Sequence, residues 1–182
     1  MLRTVIVPPA EEPLSLMAAK AYLQVGHDAE DDLIGTLLAG GRAHVENSLD
    51  LALVTQTVEV SILTSSIDQG GCSLKPGPVT QLLSVVQESD GGSSDDITHL
   101  FELRGQTLSL RPGESLAVLS GCSVLRVRFQ AGFGSASDVP EDLQLALRFL
   151  LGQSYRNRDG LFQADALTNI DDLLAPYRDA RL

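Results

Sequence analysis

The sequence predicts an α+β fold: a small helical bundle of two N-terminal helices and one late helix, an inserted antiparallel β region, and an extended C-terminal segment. Two observations carry this. The apolar period changes from about 3.6 to 2 and back again along the chain. Turn-forming Gly, Pro and Asp residues crowd the middle, between residues 64 and 114, and are sparse in the helical stretches. The boundaries implied are a helical unit from residues 15–49 and 140–157, a β insertion over 55–131, one domain spanning 1–160, and a separate segment over 161–182.

Residues 1–13 read as extended, because Pro8, Pro9 and Pro13 bar a helix. A short helix follows Ser15, with Leu16, Ala19, Tyr22 and Leu23 at helical spacing and Gly26 as its stop. Asp28 suits an N-cap, and Glu30, Asp31 and Asp32 suit the first turn of a helix over about 29–49. Its apolar stripe is Leu33, Ile34, Leu37, Leu38, Gly41, Val45 and Leu49. Gly35, Gly40 and Gly41 cost helix stability, which points to close approach of another helix, including one from a neighbouring subunit.

From Val54 to Leu63 the pattern alternates, with Val58, Val60 and Ile62 on one face and Thr57, Glu59 and Ser61 on the other. Asp68-Gln-Gly-Gly is a turn, and Val79–Val86 a second strand. Asp90-Gly-Gly-Ser-Ser-Asp-Asp reads as a polar loop. Thr98–Leu103 and Thr107–Leu110 flank Arg104-Gly-Gln as a hairpin. Arg111-Pro-Gly-Glu turns the chain again. Val124–Ala131 then sets Leu125, Val127 and Phe129 against Val124, Arg126 and Arg128.

Helix returns at Pro140, just after Asp138, with Leu143, Ala146, Leu147, Leu150 and Leu151 as its stripe and a fade near Asn157. A helical piece over about 168–175 and a break at Pro176 close the sequence. Ile170, Leu173, Leu174 and Tyr177 make this last segment apolar. A terminal segment frays unless it docks, so it docks either on its own domain or on another protein.

Composition narrows the function. The chain has 182 residues, 43% hydrophobic, and a net charge of −11. Binding nucleic acid through phosphates needs clustered Lys and Arg, so that class is disfavoured. Arginines far outnumber the two lysines, Lys20 and Lys75, as a GC-rich genome would cause. Cys72 and Cys122 make no disulfide scaffold. No leader-like apolar stretch or membrane-length run is present, so a soluble protein made in a bacterial cytoplasm is expected.

Catalytic signals are weak. Gly132-Phe-Gly lacks the third glycine of a dinucleotide loop and reads as a strand-to-helix turn. The acids at 28–32 lack the ligand order of a calcium loop and read as helix capping. His27, His44 and His99 show no metal-ligand spacing. No enzyme activity, cofactor or metal is expected.

Three segments in order carry a resemblance. The first is Leu16-Met-Ala-Ala-Lys-Ala-Tyr-Leu-Gln-Val-Gly-His-Asp-Ala-Glu-Asp-Asp-Leu-Ile34. The second is Val127-Arg-Phe-Gln-Ala-Gly-Phe-Gly134, followed by Val139-Pro-Glu-Asp-Leu-Gln-Leu-Ala-Leu147 and Tyr155-Arg-Asn-Arg158. The third is Ile170-Asp-Asp-Leu-Leu-Ala-Pro-Tyr-Arg178. In this order and spacing the chain resembles the head–tail connector (neck adaptor) proteins of tailed phages and gene transfer agents. Val58 and Ser154 depart from that family, where an aromatic and a Trp are common.

The resemblance implies a dodecameric ring in the particle neck, beneath the portal protein. Such a ring extends the DNA channel, passes DNA without specific binding, and seats the stopper (head-closure) and other tail-attachment proteins. It implies portal contacts at Ile170, Leu173, Leu174, Pro176, Tyr177 and Arg178, and helix packing in the ring at Gly35, Leu38 and Gly41. The C-terminal segment would then be dispensable for folding. A phage assembly factor or tail-completion protein that forms no ring is the alternative.

Overall fold

The computed structural model describes residues 2–68, 70–89, 93–119, 122–157, 170 and 173–178. It has the α+β fold, and the chain divides into two units. The β unit comprises residues 1–10 and 55–132; the helical unit comprises 11–54 and 133–182.

In the β unit, β1 (Leu2–Val7), β2 (Gln56–Leu63), β3 (Cys72–Ser73), β4 (Val79–Ser89), β5 (Ser94–Asp96), β6 (Phe101–Arg104), β7 (Thr107–Leu110) and β8 (Cys122–Ala131) form two antiparallel sheets. The five-stranded sheet runs β1-β2-β8-β4-β5 and the three-stranded sheet β3-β7-β6. Alternation sets the register: Val58 faces Phe129, Val60 faces Val127, and Ile62 faces Leu125. These six side chains are buried, as is Val85 beside Val127. Burial of such rows drives the pairing at roughly 25 cal/mol per Å² of apolar surface. The other face is polar, with Arg128 Nη2 2.8 Å from Glu59 Oε2 and Arg126 Nε 2.8 Å from Glu88 Oε1.

Three β segments differ from the sequence expectation. The extended N-terminus is a strand that pairs with β2, Leu2 opposite Ser61 and Arg3 opposite Val60. Part of the expected polar loop is β5, whose Asp95 lies opposite Gln87; Asp90 to Gly92 fall outside the described residues. Thr98–Leu100 is a 3₁₀ turn rather than strand, because the Thr98 N–H and hydroxyl both donate to Asp96 Oδ1.

In the helical unit, α1 spans Leu16–Leu23, α2 Asp31–Leu49 and α3 Glu141–Arg156. Ser15 caps α1 by accepting the Ala18 N–H at 3.2 Å. The helix ends at Gln24 in a left-handed conformation, φ 60°, two residues before Gly26. Asp28 is not the cap of α2: Glu30 holds that position, and Asp28 pairs with Lys20 instead. Pro140 sits just outside α3, while Asp138 closes a short turn by accepting the Ser135 N–H at 2.8 Å.

The expected stripe of α3 is buried throughout. On α2 the buried set is narrower: Ile34, Leu38, Val45 and Leu49, with Leu33 and Leu37 half-buried. Two clusters result. One joins Val45, Leu49 and Leu53 to Leu143, Leu147 and Leu150; the other joins Leu14, Ala19, Ile34 and Leu38 to Leu151.

Candidate functional surfaces

The C-terminal segment is the first candidate, and its apolar residues are used inside the chain. Ile170 and Leu174 are 3% and 1% exposed within the Val45–Leu143–Leu147 cluster. Leu173 and Tyr177 pack on the same cluster. Burial raises the Tyr177 phenol pKa, helped by the Asp142 carboxylate. The segment therefore belongs to the helical unit rather than standing apart from a domain ending at residue 160. The physical reason is direct: fully burying a Leu or Ile side chain is worth about 1.5–3 kcal/mol, and this core is within reach. Ala175–Tyr177 form a 3₁₀ turn around Pro176, and Pro176 and Arg178 are exposed.

The glycine-rich face of α2 is the second candidate. A Cβ at Gly41 would meet Leu147 Cδ2 at 3.9 Å and Leu150 Cβ at 4.0 Å, ordinary contact with α3. At Gly35 and Gly40 it would meet nothing within 4 Å. Within this chain, then, helix approach involves Gly41 and Leu38 but not Gly35 or Gly40. The tighter approach is at Gly152, where Tyr22 Cε1 lies 3.3 Å from a Cβ position. Gly40 and Gly41, with Thr36, Leu37, His44 and Leu150, line a mostly apolar groove between α2 and α3.

Two charged clusters hold the helical unit. Lys20 Nζ lies 2.6 Å from both Asp28 Oδ1 and Asp31 Oδ1. These hydrogen bonds raise the Lys20 pKa, and the bond from Lys20 lowers that of Asp28. Nearby, the Tyr155 hydroxyl donates to Glu30, tying α3 to the start of α2. In the second cluster Arg42 Nε is 2.8 Å from Glu12 Oε2 and Nη1 is 3.1 Å from Glu46 Oε2. Burial works against the guanidinium charge, yet Glu12 and Glu46 outweigh it and the Arg42 pKa is raised. Neither cluster stood out as a site in the sequence, although one of the two lysines lying 8 and 11 residues before acids was a usable signal for the first.

The third candidate is the outer edge of β1, which sequence reading left without a partner or a role. All six residues are exposed, including Leu2 at 73%, Val5 at 45%, Ile6 at 41% and Val7 at 54%. Among the described residues only β2 pairs with it.

The chemistry available is limited. Among the described residues no group of three or more His, Cys, Asp and Glu side chains could hold a metal. Burial raises the Cys72 thiol pKa, which lowers its reactivity. Gly132-Phe-Gly134 is the strand-to-helix turn between β8 and α3, its Gly132 N–H donating to Pro78 O at 2.9 Å. No described helix is long and apolar enough to cross a membrane.

No family model matches the chain, and no curated protein sequence does. Solved structures do. A chain from the neck of an empty gene transfer agent particle, computed with C6 symmetry, superposes with TM-score 0.83 at 19% identity, over 100% of this chain and 97% of that one. A chain from the neck of the native particle, computed with C12 symmetry, gives 0.82 at 21% identity, and one from the native virion 0.79 at 20%, both with the same coverage. At these identities the likeness is one of fold.

Proposed function

We propose that this chain is a structural neck protein of a phage-like particle: an adaptor that forms a ring beneath the portal, extends the DNA channel and seats the stopper. The observation that carries this is the fold shared over its whole length with chains from gene transfer agent necks. The three sequence segments that resemble head–tail connectors support it independently. The reading makes the protein a scaffold, without an active site.

A neck ring joins a portal on one side to a tail on the other, so its subunits all point the same way. That requires a heterologous interface that closes after a fixed rotation, twelvefold to match a portal. Weak contacts repeated around a ring add through effective concentration. The C-terminal segment contributes to the portal contact through what its packing leaves outside, Pro176 and Arg178. Arg178 can give charge-assisted hydrogen bonds to a portal carboxylate. Ile170 and Leu174 serve by holding the segment in place. In the ring, the open sides of Gly35 and Gly40 leave room for a neighbouring helix. The net charge of −11 lets DNA slide past the wall without being held.

The test is to mix the purified chain with portal rings of the same source and image the product by negative-stain electron microscopy. The proposal expects an added ring coaxial with the portal. Portal binding by scattered single copies would instead favour an assembly factor that forms no ring. No binding would refute the neck role.

A further inference from the structure

We infer that the ring closes by strand addition, with β1 of one copy extending the five-stranded sheet of the next copy at β5; the inference rests on the ring reading above. Edge strands in natural proteins are usually blunted by Lys, Pro, charge or brevity. β1 has no Lys or Pro from Leu2 to Val7, carries only Arg3 as a charge, and is apolar on both faces. The opposite edge has the complementary character. β5 is three residues long, fully exposed and acidic, Ser-Asp-Asp. Two β5 edges would repel each other, and a β1 edge offers Arg3 to β5.

Direction and facing agree with this pairing. Each neighbouring pair from β1 through β2, β8 and β4 to β5 is antiparallel, so β1 and β5 run the same way. Arg3 lies opposite Val60, and Val60 opposite Val127 and thence Val85, on the buried face of the sheet. Gln87 follows Val85 by two residues and lies opposite Asp95, so Arg3 and Asp95 share one face. Rotating a copy about an axis along the strands keeps faces and directions. It sets β1 parallel to β5 with Arg3 beside Asp95. Asp96 is already occupied by Thr98, which leaves Asp95 as the acid for the contact. Pairing β1 with β1 would turn the copies head to head, unlike a neck with distinct ends.

The experiment is a charge cycle on the full chain, read as ring formation by native mass spectrometry and electron microscopy, with and without portal rings. Melting curves establish that each variant is folded. Arg3→Glu and Asp95→Arg should each raise the concentration for half-maximal ring formation at least about fivefold, as like charges on adjacent strands disfavour pairing. The double variant should return to within about twofold of the parent. In a background with Cys72 and Cys122 replaced by Ser, Leu2→Cys with Ser94→Cys should give a ladder of disulfide-linked copies, because adjacent strands meet the Cα spacing. Rings that form equally well in both single variants would overturn the inference. Single variants that form rings but lose another neck protein would assign β1 to that protein and overturn it too. A parent chain that forms no ring under any condition would instead remove the ring reading, and this inference with it.

Discussion

Glu46 accepts the buried Leu53 N–H at 2.9 Å while Arg42 lies 3.1 Å from its other oxygen. One carboxylate, 7% exposed, thus ties α2 to the segment leading out of the helical unit, and Arg42 extends the tie to Glu12. Arg42→Ala should leave Glu46 short of its charge partner and cost about 1–3 kcal/mol. Denaturant unfolding measures it. A loss below about 0.5 kcal/mol would show the cluster to be ornamental.

The C-terminal segment is part of the core. Leu174→Ala should cost about 2–5 kcal/mol, as expected for a buried Leu truncated to leave a cavity. Truncation before Ile170 should lower Tm clearly. Pro176→Ala and Arg178→Ala, at exposed positions, should leave Tm nearly unchanged and weaken portal binding. An unchanged Tm on truncation would return the segment to a separable role.

Gly71 has φ +93°, and a Cβ there would lie 2.4 Å from the Leu108 carbonyl oxygen. Gly71→Ala should therefore destabilise the β unit by about 1–3 kcal/mol. Gly105 has φ +61° with nothing within 4 Å, so Gly105→Asn should stay within about 1 kcal/mol of the parent. Thermal melts of the two variants side by side make the comparison. Equal effects would contradict the packing described for β3 and β7.

Stability should depend on pH mainly at the acid end. Lys20 holds down the Asp28 carboxyl, Thr98 that of Asp96, and Ser135 that of Asp138, each below its ordinary 3.8. A depressed carboxyl contributes stability above its unfolded value, and the contribution is lost as pH falls through the folded value. Lys20 is raised above 10.5, so its contribution is complete below that pH and lost as pH rises past it. Tm should be level from about pH 5 to about 9 and fall below about pH 4. A midpoint of decline near pH 6 would implicate histidine instead.

Much of the fold was legible because local pattern and burial agree. The alternation from Val58 to Ile62 and from Leu125 to Phe129 fixed both strands and their buried faces. The stripe Leu143 to Leu151 fixed α3. What escaped depended on distant partners. Leu2–Val7 could be read as extended, but its pairing with residues near 60 leaves no local trace. Asp28 had the chemistry of a cap, and Lys20 outcompeted that role across a turn. Ile170 and Leu174 showed an apolar stripe that could serve its own core or a partner; only packing decided it. The candidate surface was legible in part, since the segments resembling neck adaptors pointed to assembly but not to the edge of β1.

Counting copies tests the neck reading most directly. Native mass spectrometry of the chain bound to a twelvefold portal ring should give twelve copies per portal, filled with little population of intermediate numbers. A complex holding one or a few copies, or a broad distribution without a closed species, would contradict the ring and with it the adaptor role.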